Sequence, residues 1–151
     1  MTRILLFTAL CAALVAPARA AEPELNVMLS VMGSGYTVKV LVNGADTGIT
    51  GGKSQSMRLF NKGHPWLVKA PPEARSRYFV LESGANEVAI EFNREANATN
   101  QLMVRLEAEG YPQPLLELTN TGTASGKHVV KLKIEPKAPA DFKPVIITDA
   151  K

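Results

Sequence analysis

LNVMLSVMGSGYTVKVLV, residues Leu25–Val42, is the stretch that decides the fold. Leu25, Val27, Leu29 and Val31 alternate with Asn26, Met28, Ser30 and Met32. After Gly33-Ser34-Gly35 the rhythm resumes at Tyr36, Val38, Val40 and Val42. A period of two places successive side chains on opposite faces of an extended chain, so each run reads as a strand with one buried face. The intervening glycines predict a short turn, and the pair is expected to form a hairpin.

The same rhythm extends outward. Asn43-Gly44 signals a tight turn, and a brief strand is expected over Ser56–Phe60. Tyr78–Leu81 follows, then a turn over Ser83–Asn86. Val88, Ile90 and Phe92 then alternate with Glu87, Ala89 and Glu91. Leu102, Val104, Leu106 and Ala108 repeat the pattern, as do Leu116 and Leu118, and then Val130, Leu132 and Ile134. Val145–Ile147 is the last candidate strand. No stretch after the N-terminal apolar run carries a helical i, i+3, i+4 pattern of useful length. About eight or nine short strands, each with one apolar face, imply an all-β fold. The expected architecture is an antiparallel two-sheet β-sandwich, immunoglobulin-like or related, with a jelly roll as the alternative. The Cys…Trp…Cys spacing of true immunoglobulin domains is absent. Terminal strands often lie at a sheet edge, so Leu25–Val31 and Val145–Ile147 are the expected edges, where a partner strand could add.

The N-terminus reads as an export signal. Arg3 supplies a positive start, Ile4–Ala16 is an uncharged apolar run of about 13 residues, and Ala18-Arg19-Ala20 places small residues where a signal peptidase cuts. The run is short of the ~20 residues that span a bilayer. Residues 1–20 are therefore expected to be removed, leaving residues 21–151 as one domain with no transmembrane segment. From about residue 136 that domain carries a Pro/Ala-rich segment, a strap or a loose tail. The sole cysteine, Cys11, leaves with the signal, which removes disulfide and thiolate chemistry. The short signal points to a bacterial periplasm or exterior. The sequon Asn97-Ala98-Thr99 would matter only in a eukaryotic secretory route.

Loss of Arg3 and Arg19 takes Lys+Arg from 17 to 15 against 14 Asp+Glu, so the net charge falls from +3 to +1. That is no footprint for nucleic acid. Gly51-Gly52-Lys53-Ser54 lacks the first glycine of a phosphate loop, since Thr47 stands there, and no helix follows; Gly44–Lys53 reads as a glycine-rich turn. Met28, Met32 and Met103 fall on polar faces and, with His64 and His128, have the donor types that suit copper. No local pairing unites them, and no metal or cofactor is expected.

Residues 61–77, NKGHPWLVKAPPEARSR, form the longest stretch without strand character. They combine Trp66 and His64 with Lys62, Lys69, Arg75 and Arg77, a set able to stack on a sugar or hold an anion. Tyr111-Pro112-Gln113-Pro114 makes a rigid connection whose tyrosine packs at a corner or extends a surface. Eleven of the fourteen acids are Glu on alternating faces, and no nucleophile motif flanks either histidine, so no catalytic residue is assigned. The leading expectation is an exported non-catalytic protein that binds a protein partner in the cell envelope. Glycan or anionic-ligand binding through the 61–77 loop is the alternative, and an enzyme or copper carrier with a spatially assembled site is a third reading.

Overall fold

The computed structural model describes residues 24–61, 64–65, 69, 79–82, 84–98 and 100–149. The export signal with Cys11, and Lys62, Trp66, Arg75, Arg77, Ser83 and Thr99, lie outside the described residues. The chain is all-β, with two sheets packed face to face as a β-sandwich. Its strands are β1 (Asn26–Met32), β2 (Tyr36–Val42), β3 (Ala45–Asp46), β4 (Gln55–Asn61), β5 (Phe79–Leu81), β6 (Gly84–Arg94), β7 (Leu102–Ala108), β8 (Leu116–Asn120), β9 (Ser125–Ile134) and β10 (Val145–Asp149). The larger sheet runs β10-β8-β7-β1-β4-β5 and the smaller β3-β2-β6-β9.

The alternation marks the core correctly. Val27, Leu29 and Val31 of β1 are buried, as are Tyr36, Val38, Val40 and Val42 of β2. They meet Val88, Ile90 and Phe92 of β6, Leu102, Val104 and Leu106 of β7, and Leu116 and Leu118 of β8 in one continuous cluster. Burial of this apolar surface is the dominant favourable term. Asn120, fully buried on β8, ties the sheets together. Its Nδ2 donates to the Tyr36 hydroxyl at 3.2 Å and to the Thr123 carbonyl at 2.9 Å, and its Oδ1 accepts the Thr123 N–H at 3.0 Å.

The expected β1–β2 hairpin does not form. β1 pairs with β4 and β7, while β2 pairs with β3 and β6, so Gly33-Ser34-Gly35 is an arch that carries the chain from one sheet to the other. A hairpin would set the two apolar faces side by side; the arch turns them toward each other, and each covers the other. Gly33 permits this because any Cβ there would lie 2.6 Å from Leu102 Cδ1. The Tyr36 N–H closes the turn on the Gly33 carbonyl at 3.1 Å.

Asn43-Gly44 is the tight turn expected, with φ of 50° and 79°, and it returns the chain into the short β3. Beyond β3 the glycine-rich stretch runs along β2. Thr47 N–H donates to the Val40 carbonyl, and Val38 N–H to the Thr50 carbonyl. Gly51 then lies against β2 with φ +80°, where a Cβ would be 2.4 Å from the Tyr36 carbonyl oxygen. Gly51 thus serves close backbone approach, whereas Gly52 has open space where a Cβ would stand and is favoured by its φ of +76°.

Two features depart from a purely antiparallel sandwich. β10 joins β8 in parallel and β5 joins β4 in parallel, so both edges of the larger sheet are parallel additions. The Pro/Ala-rich residues 136–144 form the strap that makes the β10 pairing possible, carrying the chain from β9 across to the other sheet. Tyr111 fastens the strap at the sheet corner. Its ring meets Phe142 edge-on at 4.9 Å, and its hydroxyl accepts the Glu135 N–H at 3.0 Å. The Leu25–Val31 edge expectation is overturned, because β1 lies between β4 and β7; Val145–Ile147 does lie at an edge.

Candidate functional site

Of the six residues that the sequence singles out in the 61–77 loop, the structure describes His64 and Lys69. Lys69 is exposed. His64 turns inward and is only 7% exposed. Its ring packs on Phe60 at 4.6 Å, its Nε2 is 3.8 Å from Glu24 Oε2, and its backbone N–H donates to the Asn61 carbonyl. Asn61 in turn accepts the Leu25 N–H at 2.8 Å. His64 is thus part of the packing where the loop leaves β4. Met32 stands opposite Met103 across β1 and β7, and no group of three His, Cys, Asp or Glu side chains able to hold a metal occurs among the described residues.

A different surface stands out on the flank formed by β9 and β10. These strands end the two sheets on the same side of the sandwich, and His128 joins them. Its Nε2 is 2.6 Å from Asp149 Oδ2, and its ring stacks on Phe92 at 6.3 Å. A Cβ at Gly126 would strike the Phe92 ring at 2.6 Å, so the glycine lets β9 lie close against it.

Along β9 the outward residues are Ser125, Lys127, Val129, Lys131 and Lys133, all exposed. Lys127 Nζ reaches Glu91 Oε1 at 2.7 Å, and Lys133 pairs with Glu135. The hydrogen bond and charge of Lys127 hold the Glu91 carboxyl below its ordinary range, and Glu91 in turn holds Lys127 above the lysine range. Val129 is 53% exposed on β9 and Ile146 is 58% exposed on β10. Both stand on edge strands, Val129 on the outer face of the smaller sheet and Ile146 on that of the larger.

The two ends of the smaller sheet contrast. β3 and residues 47–51 line the outer side of β2 with the chain's own hydrogen bonds. β9 pairs with β6 alone among the described residues, leaving its other side open over ten residues. The sequence carries a signal for this in lysine at alternate positions, since charged side chains, lysine above all, are one way natural sheets protect an exposed edge. Among the described residues no helix is long and apolar enough to cross a membrane. Comparison with known protein families, curated proteins and solved structures finds no match.

Proposed function

We propose that this chain is an exported, non-catalytic β-sandwich that binds a macromolecular partner in the bacterial cell envelope through the β9–β10 flank. The observation that carries the reading is the open ten-residue edge of β9, flanked by exposed Val129 and Ile146. An unpaired strand edge offers a row of N–H and C=O groups, a ready-made backbone template for adding another chain. The compartment rests on the N-terminal sequence alone: the positive start, the apolar run and Ala18-Arg19-Ala20. The glycan or anionic-ligand alternative draws no support from His64, which packs inward.

The test is a photo-crosslinking residue placed singly at Val129, Ile146 and Thr37 in cells that make the protein. Thr37 is exposed near the opposite, covered end of the smaller sheet. A discrete adduct from Val129 or Ile146, absent from Thr37, is expected. No adduct from either flank position overturns the reading. N-terminal sequencing of the protein from the envelope fraction tests export: a start at Ala21 is expected, and an intact Met1 overturns it.

A further inference from the structure

Hydrogen-bond alternation through the smaller sheet fixes which backbone groups β9 leaves open. Asn43 N–H donates to the Glu87 carbonyl, and Arg94 N–H to the Ala124 carbonyl. Odd-numbered residues of β6 therefore bond β2, and even-numbered residues bond β9. By the same alternation Gly126, His128, Val130, Leu132 and Ile134 spend their backbone groups on β6. Lys127, Val129, Lys131 and Lys133 turn theirs away from the sheet, and their side chains stand on its outer face. A strand laid along this edge meets lysine, valine, lysine, lysine on one face. On the other it meets the flank between the edge strands, where Val130, Val145 and Ile147 are only partly buried.

β6 already meets this row from the inside. Glu91 lies opposite Lys127 and Glu87 opposite Lys131, with Ala89 opposite Val129 between them. The intervening β6 residues Val88, Ile90 and Phe92 are apolar and buried. Lys127 and Lys133 already pair with Glu91 and Glu135, and a strand on the open side faces the same three lysines from the other direction. Cross-strand pairs of opposite sign stabilise an antiparallel ladder, and like charges directly opposite destabilise it. A second copy of this chain fails that test: the two longest antiparallel overlaps of β9 with itself that bring the outward backbone groups of both copies together, centred on Val129 and Val130, set Lys127 opposite Lys131 and opposite Lys133.

We infer that β9 takes, by antiparallel strand addition, an extended segment of another protein with acidic side chains at alternate positions and apolar ones between them. This rests on the partner-binding reading above and names the partner's chemistry. The lysines that bar self-association select the partner: they repel basic and self-like strands and attract acidic ones, so they supply specificity while the backbone supplies the ladder.

The probes are two synthetic peptides, GANEVAIEFNR, which copies β6, and its charge-reversed form GANKVAIKFNR, each titrated into the purified protein. The acidic peptide is expected to bind at least tenfold more tightly at low salt. It should also slow amide exchange at Val129 and Lys131 at least tenfold. Equal binding of the two peptides, or exchange at Val129 and Lys131 that the acidic peptide leaves unchanged, overturns the inference. Val129→Pro removes an outward N–H without removing a β6 bond, and is expected to abolish binding. If that variant does not fold, Lys131→Glu replaces it and should shift preference toward the lysine peptide; an unchanged preference overturns the inference. In cells, an Ile146 adduct that persists undiminished in the Val129→Pro or Lys131→Glu protein removes this inference and leaves the partner-binding reading standing. Absence of any adduct from the flank in the unmodified protein removes both.

Discussion

β1 and β9 have the same rhythm in sequence and opposite places in the molecule. Each alternates apolar with polar residues, yet β1 lies between β4 and β7, whereas β9 has no partner strand on its far side among the described residues. Their outward faces differ. β1 shows Asn26, Met28, Ser30 and Met32, none of them charged; β9 shows Lys127, Lys131 and Lys133. A strand with an open side can extend its lysines into water over that side. The period of two therefore reports which face is buried, but the charge of the other face does not by itself report lateral position: β6 and β7, flanked on both sides, show Glu87, Glu91, Arg105 and Glu107, while the edge strand β10 shows Ile146.

The sharpest way to break this contrast is truncation. Leu29→Ala on β1 removes a fully buried side chain between two strands and should cost about 2–5 kcal/mol in denaturant unfolding. Val129→Ala on β9 should lie within about 0.5 kcal/mol of wild type, since its side chain is half in solvent. Comparable losses at the two sites would mean that β9 is covered in solution and would remove the open edge.

Proline sharpens it within β9. Val130→Pro deletes an N–H that bonds β6 and should cost about 3 kcal/mol or more. Val129→Pro deletes one that points outward, where proline is tolerated on edge strands. The neighbouring substitutions should therefore differ by about 2 kcal/mol or more, read as unfolding midpoints. Equal effects would show that the hydrogen-bond alternation assigned to the edge is wrong.

A third variant probes the tie between the sheets. Asn120→Ala leaves the buried Tyr36 hydroxyl without its donor and should cost about 1–3 kcal/mol. Adding Tyr36→Phe removes the orphaned group, so the double variant should lose less than the sum of the singles, measured as a double-mutant cycle. Strict additivity would mean that the contact contributes nothing.

Much of the fold was legible because burial follows alternation: the inward residues of β1, β2, β6 and β7 are those the period of two selects. What failed is what alternation does not encode. Gly33-Ser34-Gly35 suits a hairpin or an arch equally, because glycine imposes no direction; the choice is made by Leu102 packed on Gly33 and by the partners β1 finds far along the chain. The parallel pairing of β10 depends on a strap whose length, not its composition, lets the chain cross. For the site, His64 looked available because it precedes a proline in a basic loop, but Phe60 beneath it is an outward residue of β4 that needed cover. The lysines at 127, 131 and 133 alternate with the inward residues of β9, and only the sheet order shows that this stripe stands beside a side with no partner strand among the described residues.

The smallest effect concerns the charges on that stripe. Glu91 is held below the ordinary carboxylate range first by its hydrogen bond to Lys127 and then by the lysine charge. Its contribution to stability is therefore present above that ordinary range and lost as pH falls through it toward the lowered value. Lys127 is held above the lysine range by the same contact, so its contribution is present below that range and lost as pH rises through the raised value. Glu91→Gln should thus differ most from wild type near neutral pH and converge with it at both extremes. Because the pair is in solvent, the difference should also shrink as salt is added. A difference that persists in high salt would mean that the lysine row is covered on its outer side, and the distinction between β9 and the flanked strand β1 would then rest on the backbone alone.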